Sequence, residues 1–357
     1  MENNKKTIAV VFGGVSSEYE ISLLSSASIL RHLSAEKYHV LCLGITREGR
    51  WYLYHGGPDD IASDAWVKDP DNVPAVLSPD PNTHGIVAFY PDGVKTLRVD
   101  VIFPVLHGKN GEDGTIQGLF TMSGIPYVGC HTFASSVCMD KAATHTILSA
   151  NRIEQTPYLW FYADRYTDPE GRATIRKKVA ARLNFPVFVK PANAGSSVGI
   201  SKVASMDELD AAVEKAAAED TKIVIEEGVI GQEVECAVLG NRDAKASIVG
   251  EIGASAEFYD YDDKYKNGTS QLYIPARISE EISDEIRRTA VRAYRLLGCS
   301  GLSRVDFFVT KQGQVILNEI NTLPGFTAIS MYPKLWEASG LSYSDLLDRL
   351  IELAEEA

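Results

Sequence analysis

Long apolar runs are missing from this sequence. None approaches the roughly 20 residues that a helix needs to cross a bilayer, and the opening MENNKKTIAVVF holds too short an apolar stretch for a secretory signal. A cytoplasmic protein without a membrane partner is therefore expected. Basic residues are in deficit: 35 Lys and Arg stand against 48 Asp and Glu, a net charge of −13. That balance argues against nucleic acid as the main partner and requires any phosphate site to be a local cluster of cations. Cysteine is sparse. Cys42, Cys130, Cys138, Cys236 and Cys299 are odd in number, scattered and never in C-x-x-C spacing. Reduced thiols fit that pattern better than a disulfide frame or a zinc site. The seven histidines show no metal spacing. Two glycine signatures are also absent, the dinucleotide G-x-G-x-x-G and the P-loop G-x-x-x-x-G-K-[ST].

What is present is an ordinary globular composition, 45% hydrophobic and 23% charged over 357 residues. That length exceeds one core, so two or three domains are expected. The richest stretch runs from Gly301 to Met331. Two runs of β-branched and aromatic residues, Ser303–Thr310 and Gln314–Ile320, flank a Lys-Gln-Gly turn and read as a hairpin. Asp306, Glu319 and Asn321 are oxygen donors suited to a hard cation such as Mg²⁺, which takes one or two carboxylates and completes its shell with phosphate and water. Arg304 lies two residues from Asp306 and shares its face. Thr322-Leu323-Pro324-Gly325-Phe326-Thr327 follows, a Pro-Gly turn able to bring backbone N–H groups against a ligand. A solvated strand edge is the plain alternative for any one of these features. Together, within about thirty residues, they point to phosphoryl-transfer chemistry.

Along the rest of the chain, Thr7–Phe12, Gly13-Gly14 and a helical pattern through Leu33 read as strand, turn and helix, the opening of a doubly wound α/β unit. Strands at Val40–Thr46 and Val99–Leu106 continue it, and Ile125–Val128 reads as its last strand. Roughly Gly56–Pro91, rich in Pro and Asp, reads as loop or excursion. The segment His107-Gly108-Lys109-Asn110-Gly111-Glu112-Asp113-Gly114 is a loop at the carboxyl edge of the sheet, where ligands bind. A helix is expected over Ser135–Ala150, where Lys141 taken alone would face solvent, and another over Arg172–Leu183. Phe185–Ile200 carries Lys190 at a strand end, then a Gly-Ser loop suited to covering phosphates, then a strand from Val198. Ile223–Glu233 runs off a strand into a bend with carboxylates and apolar residues that could hold an adenine and ribose, or form an ordinary edge. Strands follow at Glu233–Leu239 and Lys245–Glu251. The aromatic, charged stretch SAEFYDYDDKYKNGT (Ser255–Thr269) reads as a lid. Amphipathic helices are expected over Met206–Ala218, Glu280–Leu297 and Ser342–Glu355.

In this order the motifs GGVSSE, HGKNGEDG, MDK, KPANAGSSVGI, EFYDYDDKY, SRVDFF and NEINTLPGFT resemble those of the D-alanine–D-alanine ligases of the ATP-grasp superfamily, over almost the whole chain apart from roughly Gly56–Pro91. The resemblance implies an α/β fold: an N-terminal doubly wound domain (1–129) followed by two α+β domains (130–226 and 227–357) that clamp ATP. It implies that Lys141 and Lys190 contact the ATP phosphates, that Ser196 and Ser197 lie in the covering loop, and that Lys264 also serves the nucleotide. Glu226 would bind adenine, Glu233 ribose, and Val229 would stack nearby. Asp306, Glu319 and Asn321 would hold Mg²⁺ or Mn²⁺, with two ions expected. Glu18 would bind the ammonium of the first D-alanine in a hydrogen-bonded chain with Ser196 and Tyr265, with His107 close by. Arg304 and the Gly325 N–H would stabilise the oxyanion. Ser330 and Met331 would border the second D-alanine. Two positions depart from some relatives: Gly228 replaces an aromatic residue, and Met331 a leucine. The implied activity is ATP-dependent D-alanyl-D-alanine synthesis for peptidoglycan precursors, by a homodimer. D-alanine–D-serine or D-alanine–D-lactate ligation, another ATP-grasp carboxylate–amine ligase, and a nucleotide-sensing binding protein stay open as alternatives.

Overall fold

The computed structural model describes residues 5–195, 197–253 and 271–357. Its strands group into three sheets. In the first, β1 (Lys6–Gly13) pairs in parallel with β2 (Tyr38–Ile45) and β7 (Val101–Val105). Ile8 to Phe12 are 0% exposed. A strand buried on both faces needs an unbroken apolar run, and this is why the segment reads IAVVF rather than alternating.

The stretch expected to be loop, roughly 56–91, is largely ordered structure. It holds a short helix at Pro58–Ala62 and two strands, β4 (Val73–Leu77) and β5 (Gly85–Tyr90). With β3 (Trp51–Tyr54) and β6 (Gly93–Arg98) they form an antiparallel wing, giving the sheet order β6-β5-β4-β3-β2-β1-β7. Their strands are short and punctuated by Pro and Asp, which hides them from a composition reading. β4 nonetheless alternates, with Val73, Ala75 and Leu77 buried between exposed Pro74 and Val76. The strand expected at Ile125–Val128 reduces to one parallel bridge, Ile102 to Tyr127.

The second sheet has the order β10-β9-β11-β8, from β8 (Tyr158–Tyr162), β9 (Val187–Pro191), β10 (Ser201–Val203) and β11 (Lys222–Glu227). Helices Pro169–Arg182 and Leu209–Ala217 bury their apolar faces on it through Val179, Val213 and Ala216. The strand expected from Val198 begins only at Ser201, after a turn with Gly199 at φ +73°. The helix expected over 135–150 is two helices, Thr132–Met139 and Lys141–Ala150, broken at Asp140. Asp140 caps the second by accepting from the Ala143 N–H at 3.0 Å. Asx side chains favour caps over helix interiors, which explains the break.

The third sheet is antiparallel, in the order β14-β13-β12-β15-β16, built from β12 (Gly231–Leu239), β13 (Lys245–Gly253), β14 (Gln271–Tyr273), β15 (Leu302–Thr310) and β16 (Val315–Asn321). Helix Glu280–Leu296 covers one face. Helix Met331–Ala338 packs on the other, and the last helix, Tyr343–Glu355, continues from it onto β7 and helix Tyr19–His32 of the first sheet. The chain's end therefore returns to its beginning. Among the described residues, no helix is long and apolar enough to cross a membrane.

Candidate active site

The Gly13-Gly14 turn has a backbone role. Both residues lie at positive φ, +88° and +102°, and a Cβ on Gly13 would sit 2.1 Å from the Ile45 carbonyl oxygen. The chemistry begins at Glu18, which is 7% exposed at the start of helix Tyr19–His32. Gly108 packs against it. Gly108 is at φ +70°, a Cβ there would lie 2.4 Å from Glu18 Oε2, and its N–H donates to Glu112 Oε2 at 2.8 Å. A glycine is thus required between the two carboxylates. Glu112 lies in the HGKNGEDG motif, and the resemblance assigns it no role. Loss of hydration, then the facing Glu18 charge, pushes its carboxyl up to about 8. A second carboxylate in that glycine-rich loop was the available signal.

His107 precedes this pair and is 5% exposed. Its Nδ1 lies 3.0 Å from the Leu323 carbonyl oxygen, and burial lowers its pKa to about 4. A neutral ring bonded to a carbonyl must donate from Nδ1. His107 therefore fastens the Thr322–Thr327 turn to the first sheet, and Ser25 does the same by accepting the Phe326 N–H at 3.1 Å. Gly325 lies in this turn. Just beyond it, Ser330 Oγ accepts the Thr327 N–H at 3.0 Å, and Met331 opens the following helix with 6% exposure.

The hairpin reading of the richest stretch holds. Across β15 and β16 the register pairs Arg304 with Asn321 and Asp306 with Glu319, so all four side chains share one face. A register shift follows Asp306, and Phe307 pairs with Leu317. Arg304 forks Asp306 with Nε at 2.7 Å and a terminal nitrogen at 2.6 Å, and its Nε also lies 3.1 Å from Glu235. Asn321 Nδ2 donates to Asp306 at 3.1 Å. Among the described residues no cluster of three His, Cys, Asp or Glu side chains has metal-ligand geometry. The donors here are two carboxylates and an amide, an oxygen-only set that fits a hard cation whose remaining ligands come from phosphate and water.

At the other end, Glu226 (5% exposed) accepts from Lys190 Nζ at 2.5 Å and lies 2.9 Å from His145 Nε2. Burial raises the carboxyl's pKa, but the Lys190 charge and the His145 hydrogen bond outweigh it and hold the group well below the usual range. His145 stacks on Tyr158 at 4.3 Å and its Nδ1 meets Gln155 at 2.8 Å. Sequence reading did not single out His145, because nothing in a helical T-H-T marks a partner 81 residues away. Lys141, read alone as solvent-facing, instead turns inward and donates to the Ala194 carbonyl at 2.8 Å. Burial, with Lys190 nearby, lowers its pKa despite the carboxylates that oppose the shift. Gly228 has no space for a side chain, since a Cβ would come within 2.9 Å of the Pro186 carbonyl oxygen and 3.3 Å of the Phe188 ring. Phe188 lines the cavity beside it.

The ionisable groups of these clusters open onto one cavity of about 310 Å³. Its lining includes Glu18, His107, Lys141, Lys190, Ser197, Glu226, Val229, Glu233, Arg304, Asp306, Glu319, Asn321, Gly325, Ser330 and Met331. They come from loops at the edge of the first sheet, from strands of the second and third sheets and the loops beside them, and from the first residues of helices Lys141–Ala150 and Met331–Ala338. Ser196, Lys264 and Tyr265 lie outside the described residues.

Two family models match the chain: D-ala D-ala ligase N-terminus over residues 7–130 and D-ala D-ala ligase C-terminus over 147–352. The chain belongs to the D-alanine–D-alanine ligase family. It is 49% identical to the D-alanine–D-alanine ligase of Acetivibrio thermocellus, covering 98% of this chain and 96% of that protein. It is 46% identical to the Clostridium acetobutylicum enzyme of the same name, with 98% of each covered. Among solved structures, the VanG D-Ala:D-Ser ligase from Enterococcus faecalis matches with a TM-score of 0.89 and 43% identity, over 98% of this chain and all of that one. The D-alanine–D-alanine ligase from Coxiella burnetii matches with a TM-score of 0.84 and 35% identity, over 99% and 94%. The fold is accordingly the α/β ATP-grasp architecture of this family.

Proposed function

We infer that the protein joins two D-alanines at the expense of ATP, forming D-alanyl-D-alanine for peptidoglycan precursors. The observation that carries this reading is the single cavity in which a carboxylate end (Glu18, Glu112), an arginine–carboxylate face (Arg304, Asp306, Glu319) and a lysine end (Lys141, Lys190) meet. A carboxylate resists direct attack by an amine because oxide is a poor leaving group. Transfer of the γ-phosphoryl group to the first D-alanine carboxylate gives an acyl phosphate and ADP. The amine of the second D-alanine then adds to that carbonyl, loses a proton, and phosphate departs as the peptide bond forms.

In this reading, Lys141 and Lys190 bind phosphate oxygens. Glu226 binds adenine, Glu233 ribose, and Val229 packs on the base opposite Phe188. Ser197, with Ser196 and Lys264, belongs to the cover. Glu18 receives the ammonium of the first D-alanine, and Tyr265 closes over it in a chain with Ser196. Arg304 and the Gly325 N–H stabilise the tetrahedral oxyanion, a role in which removing one donor costs about 10²–10³ in rate. Ser330 and Met331 border the second D-alanine, and His107 orients the turn that carries Gly325. Asp306, Glu319 and Asn321 would hold the divalent cations, Mg²⁺ or Mn²⁺ and two in number, whose charge would neutralise the transferring phosphoryl group. The grouping of strands by sheet supports the division into 1–129, 130–226 and 227–357. A cytoplasmic homodimer remains part of the proposal.

The test is phosphate release from ATP and Mg²⁺ with D-alanine alone, then with D-alanine plus D-serine, D-lactate or L-alanine. D-alanine alone should suffice. The 43% identity to a D-Ala:D-Ser ligase makes D-serine the second reading; a higher kcat/KM for D-serine than for D-alanine at the second position would replace the first. No phosphate release with any of these amino acids would sink both.

A further inference from the structure

Three of the five cysteines, far apart in sequence, meet behind one wall of the cavity. Cys138 lies in the last turn of helix Thr132–Met139, Cys299 follows helix Glu280–Leu296, and Cys130 precedes the first of these helices. The sulfurs of Cys138 and Cys299 are 3.8 Å apart. Cys130 also interacts with Cys299 and is held to backbone, its Sγ 3.4 Å from the Ser300 carbonyl oxygen and 3.5 Å from that of Leu302. Cys130 is buried and does not line the cavity, so the pair that faces it is Cys138 with Cys299. The ligation chemistry uses neither thiol.

Their accessibility differs. Cys138 is half-buried and is part of the cavity lining, whereas Cys299 is buried behind it. A small oxidant that enters the cavity meets Cys138 first, with a second sulfur already in contact. Oxidation susceptibility follows thiolate character and access, and a neighbouring resolving cysteine favours the disulfide over further oxidation. Position gives the pair a consequence. Cys138 is two residues before Asp140, the cap that sets Lys141, and Cys299 is three residues before β15, which carries Arg304 and Asp306.

We propose that Cys138 and Cys299 are a hydroperoxide-sensitive dithiol whose closure to a disulfide shuts down the nucleotide site. The Cys138 sulfur attacks a peroxide oxygen, the O–O bond breaks, and Cys138 becomes a sulfenic acid as water (or an alcohol) leaves. The Cys299 sulfur then attacks the Cys138 sulfur, the S–O bond breaks, and a second water leaves. Two thiols lose two electrons and two protons, and the peroxide is reduced. A small-molecule thiol reverses the reaction by exchange. Bringing two sulfurs from van der Waals contact to a bond of about 2.05 Å draws the turn before β15 toward the segment that sets Lys141. The covalent tie then adds to the packing and the few hydrogen bonds that otherwise join these two walls of the cavity. The loss of activity, though not the cross-link, rests on the nucleotide reading above.

The experiment treats the full-length protein with hydrogen peroxide, with and without ATP and Mg²⁺. Cross-linked peptides are mapped by mass without reduction, and phosphate release is followed in parallel. The expected result is a Cys138–Cys299 peptide pair two hydrogens lighter than the separate peptides, appearing in step with loss of most activity. Dithiothreitol should restore activity, ATP should slow both changes, and Cys299→Ala should keep basal activity but resist peroxide. A cross-link that leaves activity intact, or equal inactivation of parent and Cys299→Ala, overturns the proposal. So does peroxide treatment that yields only sulfinic acid at Cys138. If Cys299→Ala fails to fold, the mapped cross-link and its reversal in the parent decide alone. A reduced parent with no ATP turnover would fault the nucleotide reading, while the mass map would still report on the dithiol.

Discussion

At the scale of single residues, the cavity is governed by charges whose neighbours lie far away in sequence. Glu112 shows this best. Its folded pKa of about 8 exceeds the ordinary carboxyl value, so the folded state keeps a proton that the unfolded chain gives up. The associated stability is fully present below about pH 4.5 and is lost as pH rises through 8. Glu112→Gln carries no titrating group there, so its thermal midpoint should fall less than the parent's between pH 6 and 9. Parallel midpoint curves for the two proteins would refute the raised pKa. His107 has the opposite shift, to about 4, and is neutral at pH 7. Its contribution is present above about 6.5 and disappears as pH falls through 4. Gly108 makes a steric case. Gly108→Ala would place a methyl carbon 2.4 Å from Glu18 Oε2, so KM for the first D-alanine should rise roughly tenfold or more, in line with a misplacement of about 1 Å. KM for ATP should change little. Equal rises in both would indicate a folding defect instead.

At the scale of elements, the break at Asp140 turns a surface-looking helix into part of the site. Asp140 caps helix Lys141–Ala150 and forms an ion pair with Lys222 on β11, which fixes the helix start against the second sheet. Loss of a cap costs about 0.5–2 kcal/mol. Asp140→Ala should therefore lower the denaturation midpoint by that order and raise KM for ATP, since Lys141 is the first residue of the helix. Asp140→Asn can still cap, so it should lose less stability; a loss equal to that of Asp140→Ala would move the weight from the cap to the ion pair. The hairpin of β15 and β16 makes a second element-scale case. Register places Asp306 opposite Glu319, and Asp306→Asn should reduce turnover by about 10² or more at saturating Mg²⁺, because the proposed metal set then loses one carboxylate charge. The far-ultraviolet spectrum should be unchanged. Activity within a few-fold of the parent would remove Asp306 from the metal set.

At the scale of the whole molecule, the last helix joins the chain's two ends. Leu350 is fully buried between the first sheet and the helices that cover it, and Tyr343 donates to the Phe326 carbonyl at 2.7 Å, holding the Pro-Gly turn. Leu350→Ala should cost about 2–5 kcal/mol, read as a lower midpoint in urea; an unshifted midpoint would mean the C-terminal helix is not part of the cooperative core. The family was legible in the sequence because its signals are local. A strand run, a glycine turn, a hairpin and the order NEINTLPGFT depend on residues a few positions apart, and each was found close to where it was expected. The strands of residues 56–91 were missed because short alternating runs broken by Pro resemble loops until a neighbouring strand pairs with them. His145 and Glu112 were passed over, and Lys141 without the family resemblance reads as solvent-facing, for a related reason. Burial and facing charge define their chemistry, and both are supplied by segments tens to hundreds of residues away. The sequence alone determined which residue types could bind phosphate, metal and ammonium. Packing of three sheets decided which of them share one cavity and in what protonation state, because desolvation and Coulomb energy depend on distance in space rather than along the chain.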